Sequence, residues 1–236
     1  MKMLWYKAWL ETRWRMLMPL LMILFAVYSS RSVGNPRPNA AHGAAPNFLQ
    51  IFWMIAALTL AGSGIATEAV FQAKKGLHGS MYFTLGLPVS RFRLFAVRVG
   101  VGMLEMFALM LLEFCTAAIL FPGSAQPSLA DGFRNAATIL LCATGFYGLS
   151  TLLSTFLDQI WQIWGSMIAF FVLAWAFEKF KIPPAFDIFH AIAGASPIGP
   201  AHAAMNHMPW TAIAVSLCAG AVFMLAALRV VQTKEY

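Results

Sequence analysis

Glu105 and Glu113 stand inside an apolar run that extends from Leu94 to Phe121. A carboxylate placed in hydrocarbon costs at least ~2.5 kcal/mol, so each must face the interior of a helix bundle, water or a partner. Their spacing on one helix puts them roughly 80° apart around the axis and about 12 Å apart along it. One chemistry open to them is a polar lining that contacts a substrate or couples to protons. The other roles are structural: a hydrogen bond to a neighbouring helix or a facing subunit, or a carboxyl held in its protonated form. A position for Glu113 near the outer headgroups would lower its cost. Catalytic pairs converge at one depth, and these two do not, which disfavours an intramembrane enzyme built on Glu105 and Glu113.

Other candidate groups carry weaker patterns. Asp187 and His190 are three residues apart, hence on one helical face, and a metal could use them. As interfacial polar residues beside water they would need no metal at all. His202 and His207 follow in the same segment. Ser196 with His202 lacks the Gly-x-Ser-x-Gly setting of a serine hydrolase, and prolines flank it on both sides. No His-Glu-x-x-His occurs, which excludes a zinc protease of that pattern. Gly62-Ser63-Gly64 lacks the lysine and hydroxyl of a phosphate loop, so ATP is not bound by that route. Cys115, Cys142 and Cys218 lie in apolar runs without a Cys-x-x-Cys pair, and they read as small buried hydrophobes.

The elements that must position these residues follow from composition. Of 236 residues, 60% are hydrophobic and 11% charged. Soluble domains average about 45–50% apolar and about 25% charged. Several apolar runs reach the ~18 residues that cross a bilayer core. The expected fold is an all-α polytopic membrane protein with six transmembrane helices, residues 1–236 forming a single transmembrane domain. The net charge of +7 then reflects orientation and anionic headgroups rather than nucleic acid.

Residues 1–15 place Leu4, Trp5, Ala8, Trp9, Thr12 and Met16 on one face, with Lys7 and Glu11 opposite. Tryptophans and basic stems suit a helix lying in the membrane interface. The rival is a secretory signal peptide with residues 16–28 as its apolar region, for which a Trp-rich, Glu-containing leader is unusual. Spans are expected near 16–30, 48–67, 94–121, 135–157, 160–177 and 210–228. Small residues at 62–64 permit close helix approach in the second. Residues 178–209 hold five prolines, yet Ala185 to Ala195 is mostly apolar, which predicts an outer re-entrant or interfacial hairpin.

Six spans put both termini on one side. With that side cytoplasmic, eleven Lys/Arg fall inside and five outside, the outer set being Arg31, Arg37, Arg134, Lys179 and Lys181. The interval 68–98 is then cytoplasmic, carrying Lys74, Lys75, Arg91, Arg93 and Arg98.

That interval has Glu68 at the end of the second span, then Lys74-Lys75-Gly76, then Leu85-Gly86-Leu87-Pro88-Val89-Ser90-Arg91. In these residues the chain resembles the permease subunits of type-two ABC exporters. The motif covers about twenty residues, and the layout of interfacial helix, six spans and outer hairpin agrees over the whole chain. The resemblance implies a non-catalytic subunit that dimerises with a second copy or a paralogue and pairs with separate ABC ATPase subunits. ATP and magnesium would be held by that partner, with no cofactor on this chain. Segment 68–93 would be the coupling helix, with Glu68, Lys74, Lys75, Gly76, Leu87, Pro88, Ser90 and Arg91 as its coupling residues. Phe71, Tyr82 and Phe83 are of the type that anchors interfaces. The location implied is the inner (plasma) membrane. Glu105 and Glu113 have no counterpart in the resemblance, and the outer loops are short. A permease fold retained for an assembly, immunity or regulatory role is the alternative.

Overall fold

The computed structural model describes residues 4–6, 8–9, 16–17, 20–21, 90–120, 129–157, 159–195 and 208–233. Among these, every regular element is helical: α1 Arg91–Leu120, α2 Leu129–Leu153, α3 Gln159–Lys179, α4 Ile188–Ala195 and α5 Trp210–Thr233. Within them, Arg91–Leu112, Gly132–Leu153, Trp161–Lys179 and Trp210–Thr233 are long and apolar enough to cross a membrane. They correspond to the expected third to sixth spans. The first two spans lie outside the described residues, apart from helical residues 16–17 and 20–21, where Met16 and Leu20 pack on the core.

Local chemistry sets the ends of these helices. Ser90 caps α1: its Oγ accepts from the Arg93 N–H at 3.4 Å and its carbonyl from Leu94 at 3.2 Å. The helix therefore begins at Arg91, three residues before the apolar run expected to start it. α2 begins at Leu129, ahead of the expected Asn135, and stops at Leu153 rather than Leu157. Its last residues close into a tight turn in which Thr155 bonds Leu152 at 3.0 Å and Phe156 bonds Leu153 at 3.0 Å.

α3 ends in a Schellman motif, with Ile182 N–H bonding Phe177 O and Lys181 N–H bonding Glu178 O, both at 3.2 Å. That motif requires a left-handed residue, and Lys181 supplies it at φ 48°. Two proline-initiated turns then lead to α4, where Asp187 Oδ1 caps Phe189 and His190 N–H groups at 2.9 and 3.2 Å.

α2 is the central helix and packs against α1, α3, α4 and α5. Its partnership with α5 is backbone to backbone. A Cβ on Gly148 would stand 2.8 Å from the Gly220 carbonyl oxygen, and one on Gly220 would stand 2.8 Å from the Thr144 carbonyl oxygen. Ala212, Ser216 and Gly220 follow one another at four-residue intervals along α5, and all are buried. This is the small-residue seam by which membrane helices approach closely.

The core divides by composition. Toward α4 it is aromatic, with Phe170 and Phe189 centroids 5.0 Å apart and Phe146 5.5 Å from Phe189. Ile188, Ala191 and Ile192 of α4 are buried in the same cluster. Toward the α2–α3 turn it carries hydroxyls and an amide. Of residues 1–15, residues 4–6 and 8–9 are described and are helical: Ala8 is buried with Val97 and Val101, and Trp5 packs on Gly100 of α1. Trp9 and Tyr6 on that segment are exposed.

Candidate functional site

Three polar groupings stand out among the described residues. The first is the junction at the start of α1. Arg91 is the first residue of the helix that Ser90 caps, and its guanidinium reaches the far end of the chain. Nη1 donates to the carbonyls of Gln232 at 2.9 Å and Val231 at 3.3 Å. These are among the last carbonyls of α5, which have no partner within their own helix. A cation at that end also meets the negative pole of the helix dipole. One turn deeper, Phe95 packs with Ala227 and Val231, alongside Leu152 and Leu228.

The second grouping joins α2 to α3. Gln162 Nε2 donates to Ser150 Oγ at 3.1 Å and to its carbonyl at 3.4 Å, while Ser166 Oγ bonds Ser150 Oγ at 3.2 Å. Thr151, Ser154 and Thr155 return their hydroxyls to carbonyls of α2 at 2.7, 2.6 and 2.7 Å. All six side chains are buried. In hydrocarbon such groups must be satisfied within the protein, and here they are.

The third surrounds Glu105, which is 5% exposed on the α1 face that also buries Val101, Met106 and Leu109. Tyr147 of α2, fully buried, donates its hydroxyl to the Val99 carbonyl at 3.0 Å, and the Glu105 carboxyl lies within its electrostatic reach. Glu105 thus faces the bundle. Glu113 falls on α1, and its side chain lies outside the described residues.

Compared with family models, curated proteins and solved structures, the chain has no match.

Of the coupling residues expected from sequence, Ser90 and Arg91 are described and lie together. Glu68, Lys74, Lys75, Gly76, Leu87 and Pro88 fall outside the described residues, as do Phe71, Tyr82, Phe83, Ser196, His202 and His207. Asp187 uses Oδ1 as a helix cap, and His190 is exposed. Among the described residues no group of three His, Cys, Asp or Glu could hold a metal ion. Cys142 is buried as expected, whereas Cys115 and Cys218 are exposed on the faces of α1 and α5.

Sequence reasoning passed over Tyr147, the Ser150–Gln162–Ser166 cluster and the Ser216 seam. The seam carried a signal, the four-residue recurrence of Ala212, Ser216 and Gly220. The polar cluster carried none, since a serine in an apolar run gives no sign of which helix will face it.

Proposed function

We propose that the chain is a transmembrane permease subunit of an ATP-driven ABC exporter. The observation that carries this reading is the junction at Ser90 and Arg91. The interval that resembles a coupling segment, 68–93, runs into the start of α1: Ser90 caps that helix and Arg91 grips the end of α5. A displacement of the segment would reach two membrane-crossing helices at once. Glu68, Lys74, Lys75, Gly76, Leu87, Pro88, Ser90 and Arg91 are the residues that couple the segment to the ATPase in this reading. ATP and magnesium act in that partner, and this chain supplies no bond-making chemistry. A second copy or paralogue completes the path through the bilayer. The protein is multi-pass in the inner membrane with both termini and residues 68–98 in the cytoplasm.

The axial separation of Glu105 and Glu113 along one helix disfavours an intramembrane enzyme built on them. Export requires an ATPase that co-purifies with the chain, whereas an assembly, immunity or regulatory role does not. The test is recovery of an ABC ATPase, encoded beside this chain, with wild-type protein and with Pro88→Ala and Arg91→Ala. Loss of recovery, or ATP hydrolysis that no longer responds to the membrane subunit, is expected in both variants. Wild-type recovery and hydrolysis in both would overturn the coupling assignment.

A further inference from the structure

We infer that Arg91 is a latch that makes the first turn of α1 and the last turn of α5 move as one body. Ser90 holds the N–H groups of Arg93 and Leu94, so Arg91 stands in the first turn of a capped helix. The guanidinium spans 141 residues of chain to reach the Gln232 carbonyl. Arginine suits this place because one planar fork offers several donors, and two neighbouring carbonyls take them from the same nitrogen. Phe95 follows Arg91 by one turn on the same helix, and Ala227 and Val231 precede Gln232 on α5, so an apolar layer backs the polar one. The two layers resist different motions. The apolar layer tolerates sliding, while the bonds to Val231 and Gln232 fix the axial register.

The consequence is that α5, the last helix, is driven from the start of α1, without direct contact between α5 and whatever displaces the segment before Ser90. Only the identity of that driver rests on the exporter reading.

The test uses the full chain in lipid nanodiscs, with spin labels at the exposed positions Phe92→Cys and Thr233→Cys and the exposed Cys115 and Cys218 changed to serine. With Arg91 present, one narrow label distance is expected. Arg91→Ala should broaden it and raise amide exchange over residues 228–233 about tenfold, as loss of a hydrogen bond to a charged group implies. Arg91→Lys should recover part of both effects. Arg93→Ala removes the same charge from an exposed side chain and should change neither. Exchange over 139–147 of α2 reports whether each variant is folded, and Arg91→Lys serves if the alanine variant is not. A narrow distance and unchanged exchange in Arg91→Ala would overturn the latch, as would equal broadening in Arg93→Ala. ATPase recovery by the wild-type chain is scored separately. Its absence refutes the exporter reading, while the label distance alone decides the latch.

Discussion

Ser216 shows how one hydroxyl can hold two helices in register. Its Oγ donates to the Cys142 carbonyl at 2.6 Å and accepts the Gly145 N–H at 2.9 Å, both across the α2–α5 seam. Ser216→Ala keeps the small volume and removes both bonds, and should destabilise the protein by about 1–2 kcal/mol. A thermal midpoint in detergent equal to wild type would refute that role. Asp187 offers a sharper separation of readings. As an N-cap it is replaceable by asparagine, so Asp187→Asn should retain stability while Asp187→Ala loses about 1 kcal/mol. A metal ligand would be sensitive to both changes, and stoichiometric zinc binding that Asp187→Asn abolishes would defeat the cap assignment.

Helices differ in how much a methyl group costs them. On Gly148 it would meet backbone atoms of Gly220, which cannot step aside, so Gly148→Ala should destabilise by about 1–3 kcal/mol through forced separation of α2 and α5. On Gly165 it would meet only the ends of Leu157 and Leu153 side chains, at 3.4 and 4.0 Å. There the gain in helix propensity decides, and Gly165→Ala should stabilise by about 0.5–1 kcal/mol. Denaturation of the two variants in parallel checks the opposite signs. The same contrast explains what could be read from sequence. The existence of α1, α2, α3 and α5 follows from the length of each apolar run. Which helix lies against which is a long-range fact. α2 and α5 are neighbours in space with two helices between them in the chain, and the small residues that join them resemble any other alanines, serines and glycines in apolar runs. The start of α1 is set by a polar residue rather than by the edge of the apolar run, since Ser90 caps the helix at Arg91.

At the scale of the molecule, α3 is the least enclosed of the four membrane-crossing helices. Trp161, Trp164, Ile168, Phe171 and Trp175 are all exposed along it, and tryptophans near both ends match the aromatic belts of the two interfaces. Such a surface suits contact with lipid. Ile168, 61% exposed at mid-helix, is the position to test. Ile168→Lys should cost about 2.5–3.5 kcal/mol of insertion energy and reduce the membrane-integrated fraction. Undiminished integration would mean that this face meets water or protein instead. The candidate site was legible at this scale only in part. The basic, motif-bearing interval pointed to Ser90 and Arg91, but that Arg91 grips α5 could not be read, because a guanidinium reaching backbone carbonyls leaves no trace in the identity of the residues it touches.

The α2–α5 seam has a consequence for how the protein is made. Gly145 and its partner Ser216 are 71 residues apart. At about 5–20 residues per second, α2 leaves the ribosome roughly 4–14 s before the helix that fills its groove. Throughout that interval its glycine-lined flank must be occupied by lipid, by α3 and α4, or by the insertion machinery. The birth of α5 therefore sets the earliest moment at which the central packing can close, and a chain stalled before Trp210 would carry an unfilled groove into the bilayer.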